Sequence, residues 1–227
     1  MSLAFTFDST PSVAITGSGS RFPVRRIYCV GRNYEEHKKE FGFTDRDPPF
    51  FFAKPADAIL ANGEDILYPP RTTSLHHEVE LVVAIGSRGR EISVERAPRY
   101  VYGYAIGNDL TRRDLQLAAR EKGRPWEMGK SFDASACISD ITPADCAGDV
   151  SRARIWLKVN DQVRQDARIA DMIWAVPEII AELSTFVELR AGDLIYTGTP
   201  AGVGAVARGD VIECGIDGLG LLVNSVI

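Results

Sequence analysis

Apolar residues in this chain fall in short runs and alternations, with few long helical stripes. A period of two marks a strand with one buried face, and a short apolar run between turn residues marks one buried on both. The clearest case spans 77–85, where Val79, Leu81, Val83 and Ile85 alternate with Glu78 and Glu80 before Val82 and Ala84 make both faces apolar. Such a strand belongs in the interior of a sheet. Further strands are expected over 13–15, 26–30, 50–55, 65–68, 100–108, 193–196, 211–214 and 221–226. The runs 155–159 and 163–165 flank Asn160-Asp161, a hairpin signature.

Helical signals are fewer. Residues 33–40 are polar and helix-permissive, with Gly42 in the place of a C-cap and a loop over 41–49. Thr111 and Asp114 resemble a capping pair for a helix over 111–122, whose stripe is Leu115, Ala118, Ala119 and Lys122. Pro177 suits the first turn of another helix, with Ile180, Leu183 and Val187 inward. Strands outnumber helices and do not alternate with them as βαβ units do. The expected class is therefore mainly β, α+β in detail, with antiparallel or mixed sheets. No repeat, low-complexity tract or linker divides the 227 residues.

Composition narrows the function classes. Hydrophobic content of 45% and charged content of 25% are those of an average globular protein. A formal charge of −5 offers no basic field for a phosphate backbone, so nucleic acid is not an expected partner. No apolar run approaches the roughly 20 residues that span a bilayer, and no charged-then-apolar leader opens the sequence. Cys29, Cys137, Cys146 and Cys214 contain no C-x-x-C pair, which argues against structural zinc and disulfides and fits a reducing cytoplasm.

The strongest chemical signal is Glu78 and Glu80, two residues apart on one strand and therefore on one face. An isolated pair of this kind is more often a solvated outer face. The strand's apolar continuation argues for the interior instead, and Asp109 adds a third carboxylate where another strand gives way to a helix. Two glutamates and an aspartate form an oxygen-only set suited to a hard divalent cation, which would cancel their repulsion. Gly202-x-Gly204 lacks the third glycine and the following helix of a dinucleotide loop. His76 and His77 face opposite ways on a strand and cannot share one site.

A set of fragments occurs in order: Gly31-Arg32-Asn33-Tyr34, His37-x-x-Glu40, Lys54-Pro55, His77-Glu78-Val79-Glu80, Asp109-x-Thr111-x-Arg113-Asp114-x-Gln116, Lys130-Ser131-Phe132 and Thr197-Gly198-Thr199-Pro200-x-Gly202-Val203-Gly204. Each is weak alone, and the ordered set is specific. Over 22–227 the chain resembles the fumarylacetoacetate hydrolase superfamily, within it the short acylpyruvase and fumarylpyruvate hydrolase group. Residues 1–21 stand outside the shared pattern as a strand-and-turn extension to a catalytic domain over 22–227.

The resemblance implies a mixed-sheet β-roll with a few short helices, a homodimer, and Mg²⁺ or Mn²⁺ on Glu78, Glu80 and Asp109. It implies a catalytic pair, His37 and Glu40, on a segment that orders with ligand, and a small oxo-acid substrate. The leading reaction is hydrolysis of the carbon–carbon bond of a 2,4-dioxo acid, fumarylpyruvate giving fumarate and pyruvate in aromatic (gentisate) catabolism. Cleavage of other acylpyruvates, oxaloacetate decarboxylation and isomerisation of an unsaturated 2-hydroxy-dioate are the alternatives. A metal-stabilised binding protein is the non-enzymatic one, and it leaves the His–Glu pair and Lys130 unexplained.

Within that chemistry Lys130 is a candidate electrostatic partner for an enolate. Arg113 and Gln116, three residues apart on one helix face, are candidates for holding a carboxylate or the second carbonyl. Thr199 offers a hydroxyl in its turn, and Arg32 and Lys54 complete the expected substrate contacts. Outside these motifs, His37 would read as a surface histidine, Lys130 as a solvated one, and Arg113 as a partner of Asp114 or Glu121.

Overall fold

The structure is a computed structural model that describes residues 10–34 and 47–227. His37, Glu40 and most of the helix expected over 33–40 lie outside the described residues.

Eight strands form the main sheet, in the order β4 (Phe50–Lys54), β3 (Arg26–Gly31), β14 (Asp193–Tyr196), β7 (Val79–Ile85), β8 (Val101–Asp109), β10 (Ala136–Ile138) and β5 (Ile59–Ala61), with β11 (Thr142–Pro143) on the flank of β8. Pairs β14–β3 and β10–β5 are parallel and the others antiparallel, so the sheet is mixed. A second sheet runs β13 (Gln162–Arg168), β12 (Arg154–Val159), β16 (Val211–Ile216), β17 (Gly220–Ser225), all antiparallel. Smaller pairings join β15 (Gly204–Val206), β6 (Leu75–His77) and β9 (Thr111–Arg112), and β1 (Ser12–Ala14) with β2 (Arg21–Pro23). The β1–β2 register pairs Val13 with Phe22, across the boundary drawn between 21 and 22.

All seven residues of β7 are buried, and they feed three different cores. Val79 and Leu81 pack with Leu157, Cys214 and Leu222 of the second sheet. Val82 and Ala84 pack with Val13 and Phe22 of the small hairpin. Val83 and Ile85 meet Ile179, Ile180 and Leu183 of the helix α3 (Val176–Phe186). One strand serving three cores is what a twisted, curled sheet produces. The expected fold class, mainly β with short helices, is the observed one.

The Asn160-Asp161 hairpin forms as expected, with φ of 50° and 64° placing both residues in the left-handed region of a primed turn. Three expectations need correction. The strand over 77–85 breaks at Glu78, between β6 and β7. Residues 65–68 form no strand, and Ile66 makes a single bridge to Val226. The helix expected from Thr111 is α1 (Arg113–Glu121), because Thr111 is drawn into β9 against His76. Asp114 is no part of a capping pair with Thr111; it accepts from the Thr72 hydroxyl (2.6 Å) and the Thr73 N–H (3.0 Å). The buried face of α1 is polar, Arg113 and Gln116, while Ala118 and Lys122 are exposed.

Candidate active site

Antiparallel pairing brings the three carboxylates together. Val79 pairs with Asn108 and Glu80 with Gly107, so the end of β8 lies beside the start of β7. At the break between β6 and β7, the Glu78 N–H donates to Asn108 Oδ1 (2.9 Å), and the Asp109 N–H donates to the Glu78 carbonyl (2.8 Å). Glu80 follows two positions on. Oxygens of Glu78, Glu80 and Asp109, all buried, lie within 4.8 Å of one another.

Cations match two of the three acids. Lys130, carried by the short helix α2 (Glu127–Lys130), sets Nζ 2.6 Å from Glu78 Oε2 and 2.7 Å from Asp109 Oδ2. Burial alone would lower the Lys130 ammonium; the Asp109 and Glu78 charges outweigh it and hold it above its usual range. Arg113 pairs with the other Glu78 oxygen and donates to Gln116 Oε1 (2.5 Å). Its expected rivals, Asp114 and Glu121, are not its partners here.

Lys54 Nζ lies 2.8 Å from Asp109 Oδ1 and also donates to the carbonyls of Lys130 and Leu110. Read from sequence as a substrate contact, Lys54 is fully buried against Asp109 and is not among the residues that line the cavity. Its approach to Asp109 Oδ1 is an ion pair without hydrogen-bond alignment, so that oxygen remains a buried atom with no hydrogen-bond partner.

Glu80 differs. Its Oε2 accepts from the Gly198 N–H at 2.8 Å, with no cation in contact among the described residues. Burial first, then the charges of Asp109 and Glu78, push its carboxyl well above the usual range. Three buried oxygen-donor carboxylates gathered within 4.8 Å, one of them with no cation in contact among the described residues, fit a hard divalent cation. Glu78, Glu80 and Asp109 would hold it.

An open cavity rises from this cluster. Arg113, Gln116, Lys130 and Thr199 line it beside the acids, as do Arg32 and Arg120, and Phe52 and Trp126 form an apolar wall. Arg32 has a left-handed φ of 58° and lies over the Phe50 ring at 5.7 Å. The neighbouring Gly31 admits that ring, which any Cβ would overlap.

Motif fragments remote in sequence meet here. Asn33 Nδ2 donates to the carbonyls of Thr197 (2.8 Å) and Trp174 (2.9 Å), while its Oδ1 accepts from the Trp174 N–H (2.7 Å). Gly198, at φ 97°, lets the Thr197–Thr199 segment pass against Asn33. Sequence reasoning assigned no role to Asn33, Asn108 or Gln165. Asn33 at least stood in a motif; Asn108 and Gln165 carried no local signal.

The fold and site define a member of a known hydrolase family. The family model described as fumarylacetoacetate (FAA) hydrolase, C-terminal, matches residues 26–227, and the chain belongs to that family. It is 48% identical over 170 residues to a fumarylpyruvate hydrolase of a Ralstonia species, covering 75% of this chain and 88% of that one. It is 45% identical over 195 residues to a mitochondrial oxaloacetate tautomerase of Rattus norvegicus, covering 86% and 88%. The crystal structure of fumarylpyruvate hydrolase from Pseudomonas aeruginosa with Mn²⁺ and pyruvate superimposes with a TM-score of 0.97. That pair is 50% identical, covering 100% of this chain and 99% of the other.

Proposed function

We propose that this protein is a metal-dependent hydrolase of 2,4-dioxo acids, with fumarylpyruvate, cleaved to fumarate and pyruvate, as its substrate. The observation that carries the reading is the buried Glu78–Glu80–Asp109 cluster opening into a cavity lined with cations. The Mn²⁺ and pyruvate of the Pseudomonas aeruginosa structure support it. Mg²⁺ or Mn²⁺, bound by the three acids, would polarise the 2-oxo acid end as a Lewis acid.

The chain's own groups do the rest. Thr199 and Arg113 hold the carboxylate and carbonyl oxygens of the oxo acid, with Gln116 fixing the Arg113 guanidinium. Arg32 and Arg120 add positive charge to the same wall, which suits a substrate with a carboxylate at each end. His37 takes a proton from the attacking water and Glu40 orients the imidazole. Water adds to the carbonyl distal to the pyruvoyl end. As that adduct collapses, the carbon–carbon bond breaks and its electron pair leaves on the pyruvate fragment as an enolate. The fixed ammonium of Lys130 stabilises that developing charge, and protonation at carbon completes pyruvate.

A second reading, tautomerisation or decarboxylation of oxaloacetate, is supported by the rat relative named an oxaloacetate tautomerase and a Dictyostelium discoideum relative named an oxaloacetate decarboxylase. It uses the same cavity without the attacking water. Steady-state assays on fumarylpyruvate, acetylpyruvate and oxaloacetate, with Mn²⁺, Mg²⁺ or chelator, separate the readings. Fumarylpyruvate should turn over fastest, and chelator should stop it. His37→Ala should abolish hydrolysis, and full activity in that variant would remove His37 from the mechanism. Turnover of oxaloacetate alone would establish the second reading. The protein acts as a homodimer in the cytoplasm on this proposal, and a monomer mass by light scattering would overturn the first half.

A further inference from the structure

Gln165 is fully buried in a strand whose other residues are exposed or half-exposed. The ladder shows why. Leu157 pairs with Gln165 and Lys158 with Val163, which leaves Arg164 as an extra residue on β13. A bulge of this kind re-aims the next side chain. Here it turns Gln165 out of the solvent face and under the Thr199 turn.

The carboxamide meets four groups, and two of them fix its orientation. The Val79 N–H can only donate, and it lies 3.1 Å from Oε1. The Pro200 carbonyl can only accept, and it lies 2.8 Å from Nε2. The amide therefore cannot be flipped. Its second N–H must donate to Thr199 Oγ1, at 2.8 Å, and His77 Nδ1 completes the set as a donor to Oε1 at 3.0 Å. Thr199 Oγ1 is thus an acceptor toward Gln165, and among the described residues its own proton has no acceptor. Thr199 lines the cavity above the three acids. The bulge also braces the turn from the other side: Gly202, at φ 92°, lies so close to the Arg164 carbonyl that any Cβ would overlap it.

We infer that Gln165 is a positioning residue that makes Thr199 a one-way hydrogen-bond donor to the carboxylate of the bound oxo acid. This rests on the substrate class proposed above. The device turns a hydroxyl of either polarity into one that recognises only an acceptor, and it is set from the second sheet.

Pyruvate binding to the Mn²⁺-loaded protein tests it, measured by calorimetry beside KM and kcat for fumarylpyruvate. Thr199→Val should weaken pyruvate binding about tenfold, the loss of one hydrogen bond to a charged group. Gln165→Glu replaces the donor by a second acceptor, so the Thr199 proton turns inward and the loss should match. Gln165→Met, which removes the amide without adding charge, should raise KM with kcat changed less than about threefold. The double variant Gln165→Glu with Thr199→Val should bind pyruvate no worse than Thr199→Val, since both act through one hydroxyl. Thr199→Ser should restore binding.

A merely structural role would lower Tm in the Gln165 variants and leave pyruvate affinity unmoved. That result in either folded, Mn²⁺-binding Gln165 variant overturns the inference, as do additive losses in the double variant. A wild-type protein that binds Mn²⁺ and not pyruvate overturns the substrate reading first and this inference with it.

Discussion

Glu78 touches Arg113 and Lys130, Asp109 touches Lys54 and Lys130, and Glu80 touches a backbone N–H. A buried carboxylate beside two like charges is unfavourable until a cation joins it. Glu80→Gln removes that repulsion in the metal-free protein and a ligand in the loaded one. In chelator the variant should be more stable than wild type by about 1 kcal/mol, which thermal melts read as a rise of about 2–4 °C for a chain of this size. Saturating Mn²⁺ should raise the wild-type Tm and leave the variant nearly unmoved. A variant that melts lower in chelator and gains as much from Mn²⁺ would show that Glu80 is not the acid that needs the ion. Lys54 makes the complementary point. A lysine before a proline on an aromatic strand reads as a substrate contact, and its role as counter-ion to Asp109 depends on where Leu110 and the Lys130 carbonyl end up.

The turn after β14 is held by its packing as much as by its own conformation. Gly202 and Gly209 have nearly the same φ, 92° and 93°, but only Gly202 has a backbone oxygen where its Cβ would be. Gly209→Ala should therefore cost only left-handed strain, about 1–2 kcal/mol. Gly202→Ala should cost more by denaturant melts, because it also pushes the turn off the Arg164 bulge, and it should weaken pyruvate binding where Gly209→Ala does not. Equal losses in both properties would mean that the bulge does not brace the turn. The helix α1 teaches a related lesson. Its periodicity is helical, but its apolar stripe is not what the fold buries; Arg113 and Gln116 face inward because the cavity there is charged.

The two main sheets share one core, and the site depends on that docking. Leu157 packs in the cluster with Val79 and Leu81 and stands opposite Gln165 in the β12–β13 ladder. Leu157→Ala should cost about 2–5 kcal/mol, and Ile180→Ala, in the separate cluster under α3, a similar amount. Only the first should loosen the bulge, so only Leu157→Ala should lower pyruvate affinity at temperatures where both variants remain folded. Matched losses of affinity would place the coupling elsewhere.

Much of this was legible along the chain because its signals are local. Alternation located β7, an apolar run located β8, Asn160-Asp161 located the hairpin, Pro177 located α3, and two glutamates spaced two apart announced the acids, although Glu78 falls at the break before β7. The order of the motifs pointed to the family. What no local signal carries is pairing between distant segments. Whether Asp109 reaches Glu78 depends on the β7–β8 register, and whether Thr111 caps a helix or joins β9 depends on His76. The burial of Lys54 and the inward turn of Gln165 follow from contacts 34 to 88 positions away in sequence for the amide and 55 to 76 for the lysine. Local propensity chooses strands and turns; long-range hydrogen bonds and shared cores choose which polar side chains those strands aim at one another.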